Sequence, residues 1–317
     1  TLDAGKPTTG TERFVASHPN GAGPWVFSDD SVSDWLITVR ANHPTLGEIS
    51  RKIAQGLVSG CDNAFYLERR EKFIYSKLTG STHEIELDLI HPLLKGSLHI
   101  RRWLFDESKL VALFPYQRNG NEFKLIDPDV MRKRFPKAWK YLGLCRSALE
   151  KRENGRFKGE RFYQYSRHQN FEVMDQRKIL VPAIAQRGEY AVDVEGKQYY
   201  VGSGGGGGGA HAILPHIKID FQYLCGLLNS TCLDSFLQRV TTPFHSGWFA
   251  YRKAYIAQIP IKLPETPEEK KLSERIVESV QTIMKAKHKL RDDKLSDRER
   301  NACPPSRNDC RFWRINR

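Results

Sequence analysis

Leu46-Gly-Glu-Ile-Ser-Arg-Lys-Ile-Ala-Gln-Gly56-Leu-Val-Ser-Gly60-Cys-Asp-Asn-Ala-Phe-Tyr-Leu67 is the stretch whose pattern decides the fold class. It opens as a short helix or strand. Val58 and the run Ala64-Phe-Tyr-Leu67 then read as strand pieces flanking a turn that needs the glycines at 56 and 60. Upstream, Val32, Trp35, Leu36 and Val39 within Asp30 to Ala41 are spaced for one face of a short helix. Residues 1–22, rich in Gly, Thr, Pro and Ser, read as a linker.

Downstream the pattern keeps mixing strand and helix periods. Ile85 to Leu94 reads as a strand with a turn of helix at Pro92. Lys95-Gly96 breaks it, and His99 to Trp103 begins another strand. Met131, Phe135, Trp139, Leu142 and Cys145 recur at three or four residues and predict a helix over Asp129 to Leu149. Lys178 to Ile184 is a strand. Tyr190 to Val194 and Gln198 to Val201 are expected to pair as a hairpin across Glu195-Gly-Lys197. Phe221 to Val240 is expected to be one apolar helix, and Tyr255 to Leu263 a strand. Thr266-Pro-Glu-Glu269 is a helix start, with Thr as N-cap, Pro first and Glu three residues on. Leu272, Ile276, Val280, Ile283 and Leu290 then form an apolar stripe. No repeat of fixed period occurs. Strands and helices do not alternate regularly, so the expectation is an α+β fold: a mixed sheet with packed helices, followed by a C-terminal amphipathic helix. The expected divisions are a domain over 23–264, the amphipathic helix over 265–300 and a basic tail over 301–317.

The chain has 317 residues, 39% hydrophobic and 11% aromatic, which suits a folded core. Its 50 Lys plus Arg against 37 Asp plus Glu leave a net charge of +13, and a surplus of that size implies a polyanionic partner. Nucleic acid and an anionic membrane are the two candidates. No run approaches the roughly 20 apolar residues of a membrane span, and Thr1 to Pro24 lacks the apolar core of a signal peptide. The expected setting is therefore the cytoplasm, with no membrane partner. Among Cys61, Cys145, Cys225, Cys232, Cys303 and Cys310 no two stand two to four residues apart, so no zinc half-site is visible and no metal ligands are expected. Reduced thiols suit a cytoplasmic protein.

Catalytic patterns are weak or absent. Gly204 to Gly209 trivially satisfies a phosphate-binding glycine pattern, but Ala210 and His211 follow instead of Lys-Ser or Lys-Thr. The run reads as a flexible connection or as a loop allowing close backbone approach to a ligand such as DNA phosphate. Asp193-Val-Glu-Gly-Lys197 contains the acidic-x-Lys half of a Mg-dependent nuclease pattern, although a hairpin turn explains it more simply. Lone histidines such as His91 and His216 read as structural. No Gly-x-Ser-x-Gly elbow occurs. The Asn-Pro-Pro-Tyr motif with which amino-group DNA methyltransferases hold a flipped base is missing, and Cys303-Pro-Pro-Ser306 does not replace it. No catalytic residue is expected in this chain.

Basic residues cluster instead. Arg51-Lys52 precede the first glycine turn, and Arg101-Arg102-Trp103 is a compact basic–aromatic group. Lys151, Arg152, Arg156, Lys158, Arg161 and Arg167 interleave with Phe157, Phe162, Tyr163 and Tyr165, and Arg187 follows. Such cations neutralise phosphates, some arginines hold guanine edges, and aromatics between them either stack on bases or support the backbone. A solvated basic face over an aromatic core is the other reading. The loop Thr241-Thr-Pro-Phe-His245-Ser-Gly-Trp248 offers Thr242 and His245 as further groove contacts, or simply caps a helix.

Five blocks in order extend this reading. Leu46-Gly-Glu-Ile49 with Ile53 to Phe65 resembles the opening of the TaqI-like C-terminal specificity domains. Ile90-His-Pro-Leu-Leu-Lys-Gly96 with Ile100-Arg-Arg-Trp103 resembles their second block. Arg177-Lys-Ile-Leu-Val-Pro182 is similar to their core strand, Leu224-Cys-Gly-Leu-Leu-Asn-Ser230 to a helix ending in Leu-Asn-Ser, and Ile259-Pro-Ile261 to a closing strand. The resemblance runs from about Trp25 to Glu269. It implies the target-recognition domain of an adenine-N6 DNA methyltransferase or single-chain restriction–modification enzyme. Double-stranded DNA and an N-terminal methyltransferase domain would be its partners. S-adenosylmethionine would belong to that catalytic domain and no cofactor to this chain, which would not be an enzyme by itself. The rivals are a Mg-dependent nuclease, and a non-enzymatic adaptor binding a protein through its C-terminal helix.

Overall fold

The computed structural model describes Trp35, residues 38–40, 42–202 and 208–292. The expected 1–22 linker, the 301–317 tail and most of the glycine run lie outside the described residues, as does most of the helix expected over Asp30 to Ala41. Of that helix, Trp35 and 38–40 are described and are helical.

The strands are β1 (Ser50–Gln55), β2 (Tyr66–Arg70), β3 (Phe73–Ser76), β4 (Ser81–His83), β5 (Ile90–Leu94), β6 (Ile100–Arg101), β7 (Leu104–Phe105), β8 (Leu110–Leu113), β9 (Tyr116–Asn119), β10 (Glu122–Leu125), β11 (Lys178–Pro182), β12 (Ile184–Ala185), β13 (Ala191–Asp193), β14 (Tyr199–Tyr200), β15 (Ala210–Pro215) and β16 (Phe249–Ala250). The helices are α1 (Leu46–Ile49), α2 (Asp62–Phe65), α3 (Gly96–His99), α4 (Pro128–Arg134), α5 (Pro136–Glu150), α6 (Phe221–Leu228), α7 (Thr231–Val240), α8 (Lys253–Ile256) and α9 (Pro267–Asp292). The fold is α+β.

A four-stranded antiparallel sheet, ordered β1-β15-β11-β13, separates two cores. Ile53, Ile179, Val181, Val192 and Ile213 face one core, shared with α6 and α7. Ala54, Leu180, Ala191, Ala212 and Leu214 face the other. Both faces are covered, which is why Lys178 to Pro182 and Ala210 to Pro215 are buried almost throughout and mostly apolar instead of alternating. The second core is capped by a six-stranded sheet, β14-β5-β8-β2-β3-β4. Phe114 sits at its centre, its ring meeting Tyr116, Phe123, Tyr165, Phe171 and Tyr199 at centroid distances between 4.9 and 5.9 Å. Burial of such rings, each worth a few kcal/mol, holds this half together.

The two sheets are joined where Leu57 bridges Val201 in parallel. Leu57 N–H donates to Tyr200 O at 2.8 Å and Gly202 N–H to Leu57 O at 2.8 Å. A Cβ on Gly56 would lie 2.2 Å from Tyr200 O, so the strands meet only because position 56 has no side chain.

Several elements differ from the sequence pattern, each for a physical reason. The expected hairpin over 190–201 does not form. Its first strand, β13, pairs with β11, while β14 pairs in parallel with β5 in the other sheet. Between them Asp193 accepts from Lys197 N–H and Gln198 N–H, and Gly196 at φ +70° turns the chain. The helix over 129–149 is two, because Phe135 precedes Pro136 and adopts φ −130°, ψ 54°. The helix over 221–240 breaks at Asn229-Ser230, where extended Ser230 caps α7 by accepting from Leu233 N–H. Ala64 and Phe65 end a turn of helix, and the strand starts at Tyr66. The helical turn expected at Pro92 lies earlier, at Leu87–Leu89, and Pro92 is within β5. His99 belongs to α3. Tyr255 to Leu263 is not a strand: α8 ends at Ile256, and Pro260, which has no N–H, makes a single bridge to Thr45.

The α9 cap is as the sequence predicts: Glu269 N–H donates to Thr266 Oγ1 and Glu269 Oε2 accepts from Thr266 N–H, each at 3.2 Å. Its stripe packs on this chain itself. Val280 is buried, Ile276 and Ile283 are half-buried against the core shared with α6, and Ile276 sits over Gly226.

Candidate nucleic-acid interface

The basic–aromatic stretch 151–167 begins with an arginine turned inward. Arg152 is buried, and its guanidinium donates to Leu149 O at 2.8 Å, Ser59 O at 2.8 Å and Phe162 O at 2.7 Å. Burial lowers its pKa from the ordinary arginine value. Satisfying three carbonyls leaves this group no phosphate to hold, so Arg152 is a structural pin and not the surface cation the sequence suggested. The interleaved aromatics point inward as well: Phe157, Phe162, Tyr163 and Tyr165 are all buried, and they support the loop from the core instead of offering faces to bases.

What the pin holds is a loop tied down at several points. Ser166 N–H donates to Ser59 O at 3.1 Å and Arg167 N–H to Val58 O at 3.2 Å, which fastens the loop to the Gly60 turn. Gly60 has φ +75°, and a Cβ there would lie 1.7 Å from Ser166 Oγ. Arg156, Lys158, Arg161 and Arg167 are exposed on this loop. Glu153 carries two of them, with Arg167 Nη1 at 2.8 Å from Oε1 and Arg156 Nη1 at 3.3 Å from Oε2.

The chain that leaves this loop runs beside β1 and brings Arg51 and Lys52 into the same neighbourhood. Lys52 pairs with Glu172 and Arg51 donates to Gln176. Between them Asn170 Nδ2 donates to Gln55 O at 2.9 Å and Gln169 Nε2 to Gln55 Oε1 at 3.4 Å. Gln55, Gln169 and Asn170 are amides of the type that read adenine edges. Sequence reading missed them because their association spans more than a hundred residues and leaves no local pattern.

A second group forms around Glu189, whose carboxyl burial raises while Arg101 and Arg187 oppose that rise. Arg101 is committed to its own neighbourhood: Nη1 donates to Ser97 O at 2.6 Å, Nη2 to Leu98 O at 2.8 Å, and Nε lies 2.8 Å from Asp106. Arg102 donates to Asn229 O at the end of α6. Arg187 is exposed. Gln186 Nε2 reaches Ser246 O at 3.4 Å, which places the 241–248 loop alongside. In that loop Thr242 Oγ1 is 2.6 Å from Tyr255 OH and His245 is exposed. Gly96, the third glycine singled out, opens α3 and donates its N–H to Gly208 O at 2.9 Å.

The nuclease-like residues do not converge. Asp193 is buried against Lys178, with Nζ–Oδ2 at 2.7 Å, while Glu195 and Lys197 pair with each other at 2.5 Å on the surface. Among the described residues no group of three or more His, Cys, Asp or Glu is placed to hold a metal, and no helix is long and apolar enough to cross a membrane. Cys61, Cys145, Cys225 and Cys232 are free thiols. His91 stacks on Tyr199 with ring centroids 4.2 Å apart, a packing role.

No family model matches the chain. It is 22% identical over 279 residues to the type II restriction enzyme and methyltransferase RM.Eco57I of Escherichia coli, an alignment covering 82% of this chain and 28% of that protein. The chain thus spans little more than a quarter of its relative's length, and its similarity is to part of a restriction–modification protein.

Proposed function

We propose that this chain reads duplex DNA as the specificity part of a restriction–modification adenine-N6 DNA methyltransferase, in the manner of the TaqI-like C-terminal specificity domains. Methyl transfer from S-adenosylmethionine would be carried out by an N-terminal catalytic domain outside this chain, in the cytoplasm, and the chain itself would bind no cofactor. One observation carries the reading: a chain with a +13 charge surplus fastens a loop to the Gly60 turn and exposes Arg156, Lys158, Arg161 and Arg167 on it. The similarity to a restriction enzyme and methyltransferase over most of the chain supports it. Loop cations would position phosphates. The amides of Gln169 and Asn170, together with Thr242 and His245, are the candidates for base edges, while Gln55, whose Nε2 donates to Gly202 O at 2.7 Å, holds them in place.

Fluorescence anisotropy of the chain with a random duplex, titrated with salt, tests the reading. Salt-sensitive binding that ignores added Mg²⁺ and S-adenosylmethionine is the expected result. Absence of binding at low salt overturns it for the isolated chain.

A further inference from the structure

We propose that Glu153 is a built-in stand-in for a DNA phosphate: its carboxylate occupies the arginine pair Arg156–Arg167 in the free protein, and a backbone phosphate displaces it on binding. The inference rests on the DNA-reading function proposed above and assigns one phosphate position within it.

Three observations converge on this residue. First, the two carboxylate oxygens are divided between two guanidinium groups, Oε1 to Arg167 at 2.8 Å and Oε2 to Arg156 at 3.3 Å. A backbone phosphodiester offers the same arrangement, two non-bridging oxygens sharing one negative charge. Second, both arginines are largely exposed, 71% for Arg156 and 53% for Arg167, so the pairing adds little to stability. Third, the backbone that carries it is strained. Glu153 (φ 45°), Asn154 (φ 58°) and Gly155 (φ 86°) are consecutive left-handed residues, a conformation that a glutamate does not adopt readily. The turn persists because Arg152, immediately before it, is locked to three carbonyls, and Ser166 and Arg167 are locked to Ser59 and Val58. The fold thus spends strain on a contact that stabilises little, and its result is a carboxylate set between two exposed cations.

The physical consequence is a threshold. Any phosphate that engages both arginines must come within a few ångströms of the carboxylate, so Glu153 either swings out or opposes it. Weak, misplaced contacts do not displace it, whereas a duplex already seated by Lys158, Arg161 and the rest of the surface does. Glu153 acts through the arginines, as a positioning residue that trades affinity for selectivity.

The test uses the full chain and a random-sequence duplex. Glu153→Gln keeps a hydrogen-bonding side chain of the same shape but removes the charge. We expect it to bind random duplex more tightly, by roughly threefold or more at low salt, with a steeper salt dependence. Glu160→Gln removes a charge from the same loop but not from this pair, since Glu160 faces Arg132 at 3.7 Å. It is expected to change binding much less. In the Arg156→Gln/Arg167→Gln background, Glu153→Gln is expected to give no gain. Equal gains from both glutamate variants, or a gain that survives without the two arginines, would mean a net-charge effect and overturn the inference. Unchanged binding by Glu153→Gln while the parent chain binds overturns it too, and leaves the DNA-reading function standing. If the parent chain binds no duplex at low salt, both fall together.

Discussion

Lys178 and Asp193 face each other across β11 and β13 with Nζ 2.7 Å from Oδ2, and both side chains are buried in the sheet that divides the two cores. Lys178 also donates to Met174 O at 2.8 Å and Gln176 O at 3.1 Å, and Asp193 accepts from two backbone amides of the next turn. Burial lowers the lysine pKa, with Asp193 opposing. Removing one partner strands a buried charge. Asp193→Ala is therefore expected to cost about 3–5 kcal/mol in denaturant unfolding. Asp193→Asn keeps an acceptor for the turn but still leaves the ammonium uncompensated. Adding Lys178→Met to Asp193→Asn is expected to recover part of the loss, a coupling of about 1 kcal/mol or more in a double-mutant cycle. Simple additivity would show that the pair is not coupled.

Gly56 and Gly60 of the opening stretch support different contacts. Gly56→Ala drives a methyl into the Tyr200 carbonyl at the join of the two sheets, where backbone cannot yield. Gly60→Ala strains a left-handed residue and meets Ser166 Oγ, a short side chain. Both are expected to lower Tm, Gly56→Ala by more, with a loss on the order of 3 kcal/mol or above. In Gly60→Ala, Ser166→Gly, which removes both the Oγ at 1.7 Å and the Cβ at 2.7 Å, is expected to restore part of the stability. No rescue would mean that the strain lies in the backbone alone.

Much of this architecture was legible where local chemistry decides it. The Thr266–Glu269 cap, the buried strand β11 and the α5 periodicity all depend on residues close in sequence, whereas the strand Ala210–Pro215 behind the glycine run went unread. Pairings decided at long range were not legible. Tyr190 to Val201 has the spacing of a hairpin, yet each strand finds its partner elsewhere because Asp193 turns inward to Lys178. The same limit applies to the candidate site. The basic stretch 151–167 is visible in composition, but its division into a buried pin, a stand-in carboxylate and exposed cations is not. That division follows from the carbonyls of Leu149, Ser59 and Phe162 converging on Arg152, of which Ser59 is presented by the distant Gly60 turn. Gln55, Gln169 and Asn170 are unremarkable residues until β1 lies beside them.

His211 introduces a pH dependence. It lies in β15 between β1 and β11, and burial, with Arg252 and Lys253 nearby, pushes its pKa down to about 4 from 6.5. The folded chain therefore resists the proton that the unfolded chain accepts. The neutral imidazole imposes no penalty above pH 6.5, and stability falls as the pH drops from 6.5 towards 4. The full loss is on the order of 2–3 kcal/mol. His211→Gln is expected to make unfolding free energy fall less steeply between pH 7 and 4.5, with His91, whose burial also holds its pKa down to about 4, supplying a remaining slope. A variant with the parent's slope would place the acid sensitivity elsewhere.

The basic residues are expected to separate into three behaviours. Lys158 and Arg161 are exposed on a loop that other residues hold in place. Replacing both with Gln is expected to leave Tm unchanged, weaken binding of random duplex and reduce the slope of log K against log salt by up to about two. Arg152→Met removes three buried hydrogen bonds and is expected to lower Tm by several degrees and loosen the loop, so that binding falls only as a consequence. Arg101→Gln lies between these cases: its guanidinium closes α3 and pairs with Asp106, so stability and binding are expected to fall together. Calorimetry and anisotropy on the same preparations separate the three. An unchanged salt slope in the Lys158→Gln/Arg161→Gln variant would place the phosphate path away from this loop, and the Arg101–Arg187 group beside the 241–248 loop would then be the surface to test.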